Sequence, residues 1–372
     1  MTKLRHIAAL DGLRGAAILL VLGYHTVGYE QYGTSVVSRT IYLTARYGYT
    51  GVDLFFVLSG FLITRILVSS RNSESFYQIF YIRRMLRIFP LYYLAIVIAF
   101  FVLPLMAIYH PERGLGASFV SPSDQIWYWL NLSNFPTAFH PWHIPVLNHF
   151  WTLAVEEQFY LIWPTVVRRC PLRTLKKICA IGFFVPMLLR LVVPSFGPDF
   201  YYRITPFHME GLLGGALLGL LDVTQSLERW RAWYPALLLS GCAGLFCAAI
   251  WPSSVFLTKG TVTFVALAFT GLVAVVLESG GRIAPVFSHP LLRRMGDYSY
   301  FMYVFHLMLI GIVSALLRHL GGLDRNLYVR AGASLAVCFT LGAVSHRFFE
   351  KPVLNLKRML PASSDIHVSA NT

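Results

Sequence analysis

Several ionisable residues sit inside stretches of this chain that are otherwise apolar, where a charge or an imidazole must have a task or a partner. In LDGLRGAAILLVLGYH (residues 10–25), Arg14 and His25 are eleven positions apart. At about 100° and 1.5 Å per residue, that spacing puts both on one helix face, roughly 16 Å from each other. Such a pair suits a long ligand held at one end by a cation and reacting at the other against an imidazole. Arg14 reaching to headgroups and His25 as a hydrogen-bonded core histidine is the competing structural reading. In GVDLFFVLSGFLIT (51–64), Asp53 is a lone carboxylate at a depth similar to His25. Its expected partner is the His25 imidazole, which it would orient and make more basic. Arg46 is the alternative partner, and Ser59-Gly60 reads as a close-packing step between helices.

Two further groups follow the same logic. In Arg83-Arg84-Met85-Leu86-Arg87-Ile88-Phe89-Pro90, Arg84 and Arg87 are three apart and so are helix neighbours, a geometry suited to a phosphate or diphosphate or, more plainly, to anchoring at the inner leaflet. In HFWTLAVEEQFYLIWP (149–164), Glu156, Phe159, Tyr160 and Trp163 recur at i, i+3, i+4 and i+7. Glu156 and Tyr160 should therefore face the protein interior, with Glu157 turned about 100° away. Glu210 in TPFHMEGLLGGALLG and His306 in SYFMYVFHLML are polar residues of the same kind and, with Tyr160, are candidate substrate contacts. For His306, a helix-packing role is the alternative. His140, His143 and His149 lie in a Pro/Trp-rich segment whose spacing matches no metal site, and the five cysteines are scattered, so neither metal nor disulfide framework is expected.

Positioning these groups requires membrane helices. The 372 residues are 56% hydrophobic and 13% charged, which excludes a disordered chain and argues against a nucleic-acid-binding domain despite 31 Lys and Arg against 17 Asp and Glu. Ten apolar stretches are long enough to cross a bilayer: 12–28, 50–68, 88–108, 150–167, 178–194, 204–222, 234–251, 261–278, 299–316 and 329–347. The expected fold is all-α, a polytopic bundle of about ten transmembrane helices. Residues 1–352 would form the membrane domain and 353–372 a short cytoplasmic tail. Alternating sides puts most of the positive charge inward with both termini cytoplasmic, where the clusters also touch lipid headgroups. Asp11 and Arg14 mark the first stretch as a retained helix rather than a cleaved signal. Trp127–Phe135 is too short to cross and reads as interfacial.

Taken together, these motifs resemble the acyltransferase-3 family of integral membrane O-acyltransferases, over about Leu10 to Pro352. Arg14 and His25 match the family's Arg-x10-His, GVDLFFVLSGFLI its second-helix signature, Arg84 to Arg87 its Arg-x-x-Arg, and Trp151 to Tyr160 its Trp-Ser-Leu-x-Val-Glu-Glu-Gln-Phe-Tyr block. Thr152 replaces the usual Ser, and His208 stands where many members carry Arg. The resemblance implies an acyl-CoA donor, most often acetyl-CoA, used from the cytoplasmic side of a bacterial inner membrane. The implied acceptor is a glycan or glycoside hydroxyl on the outer side, such as O-antigen or exopolysaccharide. Arg14, Arg84 and Arg87 would hold the donor's phosphates. His25 would act as general base, or as a transient acyl carrier, with Glu156 and Asp53 orienting it. No metal and no nucleic acid are implied. Some relatives carry an additional extracytoplasmic hydrolase-like domain; no counterpart is expected here, which would leave transfer direct or dependent on a partner. The rival reading of the same polar groups is a proton-coupled transporter or a flippase of lipid-linked sugars.

Overall fold

A computed structural model describes residues 6–28, 36–109, 119–140, 144–278 and 283–356. Within the described residues the chain is helical and contains no strand. Ten helices run fourteen residues or longer: α1 (Ala8–Thr26), α2 (Gly51–Ser69), α3 (Phe76–Val97), α4 (Trp151–Arg169), α5 (Leu172–Val192), α6 (Glu210–Val223), α7 (Tyr234–Ile250), α8 (Val255–Glu278), α9 (Pro290–His319) and α10 (Leu327–Ser345). Their ends obey local chemistry. Cys170 takes an extended backbone ahead of Pro171 and stops α4. Pro290 opens α9, and the Asn326 side chain accepts from the Tyr328 and Val329 amides to cap α10.

Each of the ten apolar stretches falls on one of these helices, but the expectation of about ten membrane spans is met only in part. Six helical segments are long and apolar enough to cross a membrane: Val36–Ser69, Phe76–Ile108, Leu227–Ile250, Val255–Glu278, Pro290–His319 and Leu327–Asn355. The protein is thus a multi-pass membrane protein. The other four long helices fall short for physical reasons. Ionisable residues interrupt α1 (Asp11, Arg14), α4 (Glu156, Glu157) and α5 (Lys176, Lys177, Arg190), and α6 has only 14 residues. The stretch expected from 204 starts instead with a 3-10 turn at Thr205–Phe207, so Glu210 opens α6. The segment around Trp127–Phe135 is split between short helices at Pro122–Trp129 and Asn134–Phe139. The tail expected from 353 begins within a short helix, Lys351–Asn355, and residues 357–372 lie outside the described residues, as does His143.

At the centre, α2 packs along α6 and α1, and α1 packs along α9, while α7 and α8 pair at the periphery. Phe246, Leu239 and Ile250 on α7 are exposed, as suits a lipid-facing surface. Small residues allow the central contacts. A Cβ on Gly60 would overlap the Leu212 carbonyl, and one on Gly215 would overlap that of Val57, so α2 and α6 approach at backbone distance. Gly60→Ala should therefore destabilise the solubilised protein by about 1–3 kcal/mol, the usual effect of overpacking. Gly311→Ala, where nothing lies within 4 Å, should be neutral in the same thermal melts.

Candidate active site

Five of the inner helices, α1, α2, α3, α4 and α9, line a cavity of ≈ 90 Å³. Its polar wall is built from Arg14 on α1, Arg84 and Arg87 on α3, Glu156, Glu157 and Tyr160 on α4, and Ser59 on α2. Val52, Phe55, Phe56 and Leu153 form its apolar side, and Thr152 and Tyr303 close one end. The three arginines singled out from spacing thus converge on one space, together with Glu156. That space carries three cations against two carboxylates, a balance that favours an anionic guest.

Glu156 is held from both sides. Ser59 Oγ donates to its Oε1 at 2.7 Å and Tyr160 OH to its Oε2 at 3.1 Å, while the Arg84 guanidinium lies 4.9 Å from the centre of the Tyr160 ring. Ser59 therefore does more than permit packing: it is the hydroxyl that anchors the carboxylate. Glu157 also lines the cavity, although helical phase turned it away, because the space extends around α4 toward α3 and α9. Its Oε1 is buried and has no hydrogen-bond partner among the described residues.

His25 does not line this cavity. Its Nδ1 lies 3.0 Å from the Val21 carbonyl and 3.3 Å from His306 Nε2, and the His306 ring stands 4.5 Å from that of His149. These three rings sit directly behind the cavity's end wall. There Thr152 Oγ1 and Tyr303 OH share a hydrogen bond at 2.6 Å, and the two oxygens lie 3.0 and 3.3 Å from the His149 carbonyl oxygen, which accepts from the hydroxyl that does not donate to the other. Sequence spacing put His25 on the same face as Arg14, but in the fold Arg14 lines the cavity and His25 does not. His149 was set aside as a loop histidine, but the 3-10 turn Pro145–Phe150 buries it. Only its proximity to Trp151–Tyr160 could have flagged it.

Two expected contacts are replaced by others. Asp53 lies 2.7 Å from His208 Nε2, and His208 Nδ1 donates to the Tyr202 carbonyl at 2.6 Å, so neither His25 nor Arg46 is Asp53's recorded partner. The histidine that replaces the more frequent arginine thus supplies a hydrogen-bonded partner to the buried carboxylate. Glu210 is fully buried and paired with Arg190 at 2.6 Å, and both also bond Thr263, while Arg190 further donates to the Phe207 and Lys259 carbonyls. It fastens α5, α6 and α8 together and does not reach the cavity. His306 is likewise fully buried. Among the described residues, no group of three or more His, Cys, Asp and Glu side chains could hold a metal.

An α-helical bundle with membrane-length apolar helices and a cavity lined by arginines and carboxylates defines an integral membrane protein. The chain belongs to the acyltransferase-3 family, whose acyltransferase-domain model matches residues 7–345. It is similar to the peptidoglycan O-acetyltransferase OatA of Listeria monocytogenes, 29% identical over 371 residues, covering 94% of this chain and 56% of the relative. It is also similar to the putative peptidoglycan O-acetyltransferase YrhL of Bacillus subtilis, 28% identical over 369 residues and covering 94% and 55%. A putative O-acetyltransferase of Staphylococcus aureus is 27% identical over 373 residues, with coverage of 94% and 58%. The chain therefore spans little more than half the length of these relatives. No solved structure matches it.

The Asp53–His208 pair gives a direct test of the packing around the site. Removing one member of a buried pair strands the other, at about 3–5 kcal/mol, whereas removing both relieves part of that loss. His208→Leu should lower unfolding stability by that amount, and the Asp53→Asn/His208→Leu double variant should recover a measurable share in the same detergent unfolding series.

Proposed function

We propose that this chain is a membrane O-acetyltransferase that uses acetyl-CoA from the cytoplasm to acetylate a glycan hydroxyl on the outer side of a bacterial inner membrane. The observation that carries this reading is the convergence of Arg14, Arg84 and Arg87 on one cavity with Glu156, in a chain of the acyltransferase-3 family. Guanidinium groups bind phosphates through paired, charge-assisted hydrogen bonds, and CoA presents its phosphates at the end opposite the thioester. The apolar wall of Val52, Phe55, Phe56 and Leu153 suits the uncharged arm between them. The four long helices that are shorter or more polar lie within the bundle formed by the six membrane-length ones, and both termini are cytoplasmic in this reading. Relatives named for peptidoglycan favour a cell-wall glycan over O-antigen or exopolysaccharide as acceptor.

His25 is the base. Its Nδ1 faces the Val21 carbonyl, so that nitrogen carries the proton and the lone pair sits on Nε2. Nε2 takes the proton of the acceptor hydroxyl as that oxygen bonds to the thioester carbonyl carbon. The C–S bond then breaks, and the proton passes from His25 to the departing thiolate. A positioned base of this kind is worth about 10²–10⁴-fold. Thr152 and Tyr303 separate the cavity from the histidines, so their hydroxyl pair must part for the thioester to meet the imidazole. Glu156, fixed by Ser59 and Tyr160, sets the charge of the arginine-lined space rather than touching His25.

Binding and chemistry are separable by experiment. Acetyl-CoA at about a hundred times its Kd should stabilise the solubilised protein by about 2.7 kcal/mol. Arg84→Ala/Arg87→Ala should lose that protection, whereas His25→Ala should keep it and lose acetyl transfer to muropeptide oligosaccharides. Wild-type transfer by His25→Ala, or undiminished protection without the two arginines, contradicts the assignment.

A further inference from the structure

The group expected to orient the base, Asp53, is committed to His208, and Glu156 is committed to Ser59 and Tyr160. The Val21 carbonyl sets the His25 tautomer, but a carbonyl of the same helix turn does not by itself hold the ring angle or the imidazolium that forms when the base takes a proton. The neighbour that meets this requirement comes from α9. His306 is fully buried, and its Nδ1 lies 2.6 Å from the Tyr303 carbonyl. A carbonyl only accepts, so His306 Nδ1 carries the proton and its Nε2 carries a lone pair. That lone pair lies 3.3 Å from His25 Nδ1, and the two ring centres are 4.8 Å apart.

We infer that His306 is the positioning residue for His25: its Nε2 accepts the His25 Nδ1–H together with the Val21 carbonyl, which directs the His25 Nε2 lone pair toward the acceptor. When His25 takes the acceptor proton it becomes an imidazolium whose Nδ1–H is then held by His306. A neutral imidazole thus does in this low-dielectric setting what a carboxylate does in hydrolytic triads, without burying a second charge. His149 completes the arrangement from behind. Its Nε2 donates to the Val304 carbonyl at 3.1 Å, and its ring packs on His306, restraining the latter's angle. Tyr303 provides the carbonyl that sets the His306 tautomer and the hydroxyl that closes the cavity, so one residue couples the end wall to the orientation of the base.

This inference rests on His25 being the base, and the test keeps the two apart. The full chain in nanodiscs is assayed with acetyl-CoA and muropeptide oligosaccharides as His306→Leu, which removes the acceptor, and His306→Gln, whose side-chain oxygen can restore it. His306→Leu should lower kcat about 10²-fold with KM for both substrates within about twofold, and His306→Gln should recover at least tenfold of that loss. A wild-type kcat in His306→Leu, a loss carried by KM, or a Gln variant as impaired as Leu overturns the inference. If His25→Ala is inactive while His306→Leu is fully active, only the positioning role is lost. If His25→Ala is itself active, the base assignment is what has failed. Should the Leu variant not fold, 15N-histidine NMR of the wild type decides: a scalar coupling between His25 Nδ1 and His306 Nε2 across their N–H···N hydrogen bond supports the inference, and its absence, or a His25 ring protonated on Nε2, overturns it.

Discussion

Charge inside a membrane bundle persists only where it is paired or where it faces a cavity, and this protein's architecture follows from how it meets that condition. Three interior clusters do so in different ways. Arg190 and Glu210 neutralise each other and bind Thr263, tying three helices together. Asp53 and His208 do the same between α2 and the segment leading into α6. Around the cavity, Arg14, Arg84 and Arg87 outnumber Glu156 and Glu157, and that excess of positive charge distinguishes the site from the structural pairs. A scaffold able to hold one unbalanced cluster needs the others to be closed, and the close glycine contacts between α2 and α6 hold the helices near enough for closure.

The site is divided. On one side is a space suited to a phosphate-bearing donor, and on the other are three imidazoles. The Thr152–Tyr303 pair stands between them, with hydroxyls 2.6 Å apart. In the proposed reaction this division separates cytoplasmic donor from outer acceptor except while an acyl group passes. In the same proposal the length of the Arg14–His25 spacing on α1 follows, because Arg14 faces the donor and His25 the acceptor.

Much of this was readable in the sequence, and the unread parts share a cause. Helical periodicity fixes which residues of one helix share a face, which is why Arg14 with His25, Arg84 with Arg87 and Glu156 with Tyr160 were legible as pairs. Periodicity carries no information on which helix lies opposite. The partners Asp53–His208, Arg190–Glu210 and His25–His306 are 155, 20 and 281 positions apart, and no local rule pairs them. Ser59 read as a packing residue because its partner, Glu156, is 97 positions away. Glu157 was turned aside by assuming a single buried face, whereas the cavity curves around α4. The family resemblance supplied the order of the motifs, but the division of the site by Thr152 and Tyr303 is a property of the packed helices alone.

The central claim is that the arginine-lined space and His25 lie along a single path for one donor molecule. A cryo-EM structure of the full chain with a non-transferable thioether analogue of acetyl-CoA tests it most directly. The account predicts phosphate density against Arg84 and Arg87, with the arm running past Phe55 and Phe56 and the acyl end at the Thr152–Tyr303 wall or beyond it, toward His25. Density with its phosphates elsewhere, or with its acyl end directed away from that wall, would contradict it.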